Sequence, residues 1–306
     1  MSSLLTNNSA MTALQALTMT QASLSQTQNQ ISTGQRISSA ADNASYWSIA
    51  TKMHSNIGAL GAASDALSES SALVSTMSAA LTSSISVLDI IKNDLVSASN
   101  PGADMVKING DIANQQQLLE SIGQSANFNG LNFLAGSGAN GTVNLVASYD
   151  SKSGVSYLSV DTSQTQLFQV SGGVYNSAGT VGILAQTSGN VSGQSILSFT
   201  IGASTTVTTT GTGVSINNLL TDVETALSSI TKAGALLGAT TNSITTQQNY
   251  VSNLSDSLTT GVGALVDANM NEASTKLAAL QVQQQLGIQA LSIANSNTQL
   301  ILKLFQ

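Results

Sequence analysis

Cysteine does not occur in this 306-residue chain, and histidine occurs once, as His54. Without thiols there can be no disulfide framework, thiolate nucleophile or Cys-based metal knuckle, and a lone imidazole removes multi-His zinc sites and most triads with a His base. Charge is scarce too: Asp, Glu, Lys and Arg make up 8% of the residues, against about 25% in ordinary soluble proteins. The balance is acidic, 15 carboxylates to 8 cations, which repels nucleic acid and offers no basic stripe for phosphates or anionic lipid. Pro101 is the only proline, so helices elsewhere run without that interruption. No uninterrupted apolar run approaches the ~20 residues that cross a bilayer, and no Lys or Arg precedes Arg36. Neither membrane insertion nor a cleaved secretory signal is expected.

What the chain has instead is a seven-residue repeat. Leu60, Leu67, Val74, Leu81, Leu88 and Leu95 share one heptad position. A companion seam through Ile57, Ser64, Ser71, Ser78, Ile85 and Lys92 is apolar only at some layers. A helix over about 44–99 would be roughly 80 Å long at 1.5 Å per residue. Pro101-Gly102 ends it, and Asp104 is placed to cap a second helix carrying Ile108, Ile112, Leu119 and Ile122, read as an antiparallel return. Asn-Gly and Gly pairs between Asn127 and Gly141 then mark turns.

From Thr142 the period becomes two, and the DSKSG turn predicts a β-hairpin. Extended runs are also expected at GTVGILAQ, ILSFTIG and the Thr-rich TTVTTTGTG. The heptad returns with Ile216, Val223, Ile230, Leu237, Ile244, Val251 and Leu258, accompanied by Leu220 and Leu227 before Gly234, Thr241 and Gln248 weaken the seam. An interruption is expected at Gly261-Val262-Gly263. A last helix follows, with Leu286, Ala290, Ile293, Asn297, Leu300 and Leu304 at alternating four and three spacing. Leu17, Leu24 and Ile31 mirror it near the amino terminus.

Each apolar ridge must find another, so the two ends of the chain should pack together while the middle projects. The expected fold is mainly α with a β insertion: long helices from both ends paired in a coiled-coil-like rod, and a central β-rich outer domain. The boundaries read as 1–141 for the amino-terminal half of the helical core (terminal helix about 1–35, rod about 44–126) and 142–215 for the β-rich insertion. The carboxy-terminal half is 216–306, with a rod over about 216–260 and a terminal helix over about 267–306. The rod core is assigned to the two heptad ridges, from Leu60 to Leu95 and from Val223 to Leu258. Terminal helices with polar seam residues are marginal alone, so Leu17, Leu24, Ile31, Leu286, Ala290, Ile293, Leu300 and Leu304 are assigned to assembly with neighbouring copies.

Motifs for catalysis are missing. Gly136, Gly138 and Gly141 match G-x-G-x-x-G but lead into a strand, whereas a dinucleotide fingerprint opens a helix. Asp267, Asn269 and Asn271 imitate an EF-hand start, but Glu272 and Ala278 stand where Gly and Glu are required. No Walker A sequence, G-x-S-x-G elbow or H-E-x-x-H motif is present. No catalytic, cofactor-binding or metal site is assigned. Arg36, the sole guanidinium, is read with Asp42 and Asn43 as a structural turn between helices.

The stretch Leu24 to Met53, LSQTQNQISTGQRISSAADNASYWSIATKM, resembles the amino-terminal signature of bacterial flagellins. The resemblance is carried by Ile31, Ser32, Gly34, Arg36, Ile37, Ser39, Ala40, Asp42, Asn43, Ala44, Ile49 and Ala50, while Tyr46-Trp47 replaces residues that are small in many members. Phe128-Asn129-Gly130 and the block from Asp267 to Asn295 resemble two further family segments. The resemblance implies a structural, non-enzymatic subunit of an extracellular filament for swimming, with terminal helices forming an inner tube and the β segment exposed. Its implied partners are copies of the chain, other flagellins sharing the filament, the flagellar export apparatus, and cap and hook-associated proteins. The hook-filament junction protein is the alternative within the superfamily; it typically carries a Pro-Ser-Asp-Asp type stretch where this chain has Ser39-Ala40-Ala41-Asp42-Asn43.

Overall fold

The computed structural model describes residues 7–136, 141–171, 174–175, 182–186, 190–201 and 215–304. Its helices are α1 (Asn8–Thr33), α2 (Ala44–Ala98), α3 (Met105–Ser125), α4 (Ile216–Val266) and α5 (Met270–Leu304). The strands are β1 (Ala135–Gly136), β2 (Thr142–Asp150), β3 (Gly154–Asp161), β4 (Phe168–Ser171) and β5 (Val174–Tyr175). The chain forms two compact units, residues 1–58 with 255–306, and residues 59–254. Each unit draws on both halves of the sequence, because α2 and α4 supply residues to both.

In the unit of residues 59–254, the heptad ridges are buried throughout: Leu60 to Leu95 on α2 and Ile216 to Val251 on α4 are at most 4% exposed. The two helices run antiparallel, as a Lys92–Glu224 ion pair at 3.0 Å and a hydrogen bond from Gln248 Nε2 to Ser68 Oγ at 3.3 Å require. The companion positions differ from those read in the sequence. The deeply buried partners lie three residues after each ridge position, at Ala63, Ser70, Met77, Ser84, Ile91 and Ala98 on α2, and at Leu219, Ala226, Ala233 and Thr240 on α4. The positions four after the ridge, such as Ser71 and Leu227, are half-buried flanks. Several of these companion residues are small, and the buried hydroxyls among them cost little. Ser70, Ser84 and Thr240 each donate to a carbonyl four residues back, so these three hydroxyls are satisfied.

Helix α2 is long and apolar enough, by length and composition, to cross a bilayer. Its Leu and Val ridge is covered by protein. The helix is followed by Pro101 and by Gly102 at φ 91°, and Asp104 caps α3 by accepting from the Lys107 N–H. An Asn129-Gly130 turn, both residues at positive φ, joins the paired Phe128 and Leu131 after α3. Strands β2 and β3 form the expected antiparallel hairpin, with a register shift between Val146 and Ser148. Its Leu145 and Val160 turn inward and line a small apolar cavity with Leu73, Val74, Met77 and Leu237.

Two apolar runs expected as strands are not strands in their described parts. Residues 182–185 and 196–198 are turns, yet Leu184, Ile196, Phe199 and Ile201 are buried. The backbone there finds partners on side chains of the helices. Gln116 Nε2 donates to the carbonyls of Ile196 and Phe199, both at 3.0 Å; Asn109 pairs with both backbone groups of Ile201; and Asp222, 2% exposed, accepts from Val191 N–H and Ser192 N–H. Side-chain amides on α3 and a buried carboxylate on α4 thus do what a neighbouring strand would otherwise do. TTVTTTGTG lies outside the described residues, as does Gly138. The interruption expected at Gly261-Val262-Gly263 does not occur: α4 continues through it to Val266. Val262 and Val266 are buried against Ala50, Met53 and Ile57 of α2, and that packing outweighs the roughly 1 kcal/mol that each helical glycine costs relative to alanine.

Asp94 on α2 carries a buried carboxylate oxygen with no hydrogen-bond partner among the described residues. Burial, and then the charge of Asp111 on α3, push its pKa above the ordinary 3.8. A raised carboxylate pKa means that the folded chain holds the proton more tightly than the unfolded one. Stability therefore falls as pH rises through the window between the ordinary and the raised value. Asp94→Asn is expected to raise the melting temperature at neutral pH by on the order of 2 °C and to lose that advantage below pH ~3.8. Thermal unfolding at both pH values is the measurement, and equal melting temperatures at neutral pH would count against the unpaired charge.

Candidate functional site

The second unit is built on a hairpin of α1 and α5, which run antiparallel. At its open end Asn7 caps α1, its Oδ1 accepting from Ala10 N–H at 3.0 Å, while its Nδ2 donates to the Ala294 carbonyl at 3.0 Å. At the other end Gly34 adopts the left-handed conformation, φ 71°, that terminates α1, and its carbonyl accepts from Ala268 N–H at 2.9 Å. Two chain ends far apart in sequence are held in register by these contacts.

The seam between the helices is a second heptad. On α1, Leu17, Leu24 and Ile31 are half-buried and Thr27 is buried, its hydroxyl donating to the Ser23 carbonyl. On α5 the matching line is Ala273, Leu277, Leu280, Gln284, Gly287, Leu291 and Ala294, each half-buried or buried. The approach is close at Gly287, where a Cβ would lie 3.2 Å from Leu17 Cδ1. This line was legible as Ala273, Leu280, Gly287 and Ala294 at spacing seven, but its small residues made a weaker signal than the larger ones nearby.

The larger residues face the other way. Leu286, Ala290 and Ile293 are exposed, off the half-buried line that matches Leu17, Leu24 and Ile31. Leu286 is 58% and Ile293 62% exposed, and Val282 stands beside them; on α1, Met11, Leu14 and Met19 are each more than half exposed. Helix α5 therefore has two stripes, one against α1 that mixes leucines with Ala273, Gly287 and Ala294, and a bulky apolar one against water. Leu300 and Leu304 fall on α5, but their side chains lie outside the described residues. Leu258 is half-buried near the carboxy-terminal part of α4.

The turn residues act separately. Arg36 donates from Nη2 to the Leu265 carbonyl at 2.9 Å, and its N–H bonds the Val266 carbonyl at 2.6 Å. A guanidinium thus meets the carbonyl end of α4, where the helix dipole is negative. Asp42 does not pair with Arg36. It accepts from the backbone N–H groups and hydroxyls of Ser38 and Ser39, and the Ser39 N–H first among these holds its pKa below the ordinary 3.8. Asn43 caps α2, its Oδ1 accepting from Ser45 and Tyr46 N–H.

The motif look-alikes have structural explanations. Asn269 of the EF-hand imitation accepts from Asn271 N–H and so caps α5, and Gly141 leads into β2. His54 is exposed on α2. Among the described residues no group of three or more His, Asp or Glu side chains could hold a metal ion. What the unit offers is a surface: two parallel apolar stripes on the outside of a hairpin whose inside is already satisfied.

Comparison with known proteins bears on that surface. Residues 4–139 match the bacterial flagellin N-terminal helical region, and residues 220–305 match the bacterial flagellin C-terminal helical region. The chain is 42% identical over 321 residues to Flagellin C of Rhizobium meliloti (strain 1021), with 100% of both chains covered. It is 41% identical over 316 residues to a flagellin of Brucella melitensis biotype 1, again with 100% of both covered. Flagellin A of Rhizobium meliloti (strain 1021) is 36% identical over 394 residues at the same coverage.

Proposed function

Since the chain belongs to the bacterial flagellin family and is a structural subunit of the flagellar filament, we propose that the outer stripes of the α1–α5 hairpin are the surface on which successive copies add. The observation that carries this reading is the exposure of Met11, Leu14, Met19, Val282, Leu286 and Ile293 on one small unit. Contacts between different surfaces of identical copies propagate as an open helix when the rotation does not close. Leu17, Leu24 and Ile31 serve assembly indirectly, by holding α1 against α5 so that both stripes face outward. Leu300 and Leu304, at the same four-and-three spacing in the sequence, are proposed as further assembly residues.

The partners are copies of this chain and other flagellins, and the family's proteins are structural rather than enzymatic. We further propose that the subunit leaves the cell through the flagellar export apparatus and adds beneath a cap on a foundation of hook-associated proteins. A chain without cysteine suits that route, because it can be threaded unfolded and refold with no disulfide to form. In the filament the terminal hairpin takes the inner tube. The segment division at 141/142 and 215/216 is retained as a proposal about the chain's layout.

Negative-stain microscopy of concentrated purified protein tests the assembly reading. Long filaments that grow with concentration are expected. Short particles that do not elongate would overturn it in favour of a junction role.

A further inference from the structure

We infer that Met11 and Met19 form a redox modification site: oxidation of their thioethers by a hydroperoxide blocks addition of the subunit to a filament. The inference rests on the assembly surface proposed above. Met11 and Met19 are 58% and 63% exposed, the two most exposed methionines among the described residues. They lie at i and i+8 on α1, on the side turned away from the α5 seam, so that two of the side chains that must leave water on assembly carry sulfur. The remaining described methionines are less open. Met270, at the start of α5, is 44% exposed, Met53 and Met105 are half-buried, and Met77 is 2% exposed in the core.

The chemistry is a two-electron oxygen transfer. A sulfur lone pair attacks one oxygen of the hydroperoxide, the O–O bond breaks, and the S–O bond of a sulfoxide forms. Sulfur is oxidised, and the peroxide is reduced to water or the corresponding alcohol. In the free subunit the new S–O dipole faces solvent and the hairpin is undisturbed, because neither side chain belongs to the inner seam. Against a neighbouring copy it must be desolvated on a surface whose Leu, Val and Ile side chains supply no donor, while the helical N–H groups are already bonded. The same atoms that are harmless in the monomer therefore oppose the polymer. Leucine at both positions keeps the apolar shape and removes the sulfur.

The test treats the full-length chain with graded hydrogen peroxide. It follows each methionine by peptide mass spectrometry and the critical concentration for polymerisation by sedimentation. Met11 and Met19 should oxidise before Met53 and Met105, with Met77 last. The critical concentration should rise by about tenfold or more, with helical circular dichroism unchanged, and a methionine sulfoxide reductase should restore it. Whatever critical concentration Met11→Leu/Met19→Leu has before treatment, peroxide should leave it unchanged, because no sulfur remains at either position. Met11→Gln/Met19→Gln, polar at similar length, should assemble as poorly as the oxidised protein. Oxidation of both residues with an unchanged critical concentration would overturn the inference, as would equal peroxide sensitivity of the leucine variant. Untreated protein that never polymerises would overturn the assembly reading itself and this inference with it.

Discussion

Replacing Leu286 and Ile293 together by glutamate is expected to abolish filament growth while leaving the folded subunit intact. Both side chains are mostly in water in the isolated chain, so glutamate there is hydrated, and it is at least as good a helix former as isoleucine. In the polymer the balance reverses. Each lost Leu or Ile contact removes roughly 1.5 to 3 kcal/mol of burial, and a carboxylate desolvated without a partner adds several more. The net charge also moves further from the native −7, repeated at every subunit. At 1.4 kcal/mol per tenfold, a combined loss on the order of 5 kcal/mol raises the critical concentration more than a thousandfold. Sedimentation should show no polymer, and circular dichroism should show a native melting profile. Leu280→Glu is the control from the other stripe: Leu280 is 8% exposed against α1, so that change should loosen the hairpin within the monomer. Filaments of normal length from the Leu286/Ile293 variant would refute the outer stripe as the assembly surface.

The opposite dissociation is expected for Leu81→Asp, which should destroy cooperative folding of residues 59–254 before any question of assembly arises. Leu81 is 1% exposed on the α2 ridge, between buried Val74 and Leu88 one heptad away on either side. Truncating such a leucine costs about 2 to 5 kcal/mol, and placing an unpaired carboxylate in its place adds a desolvation penalty of several more. A domain has only about 5 to 15 kcal/mol of net stability, so the substitution consumes most or all of it. Leu81→Ala should instead lower the melting temperature while retaining a single transition. Heat and urea unfolding followed by circular dichroism separate the two, and a native transition in the aspartate variant would remove Leu81 from the core.

Oxidation at Met11 and Met19 belongs to the first kind of change. It alters a surface that the monomer leaves wet and the polymer makes dry, so it is read in assembly and not in melting. The Asp94→Asn effect is of the second kind, internal to the packing of α2 and α3.

Period and punctuation were enough, from the residues alone, to determine the long helices, their main ridges and the hairpin. A leucine or valine every seventh residue admits one helical reading over roughly ten turns, and Pro101-Gly102, Asp104, Asn43 and DSKSG act through local backbone chemistry. Which flank of a ridge is buried was a tertiary decision. Positions three and four residues on lie on opposite sides of the same stripe, and only the tertiary packing selects the three-residue side, where Ala63, Ser70 and Ser84 are buried. The same reason applies to α5, where Leu286 and Ile293 made the louder pattern but Ala273, Leu280 and Gly287 allowed the closer approach to α1. Apolar runs such as that around Phe199 became buried turns because Gln116, Asn109 and Asp222, distant in sequence, satisfied their backbone. Local pattern specifies how a segment coils; which of its faces is covered depends on the shape of whatever lies opposite, and that is settled only when the distant parts of the chain meet.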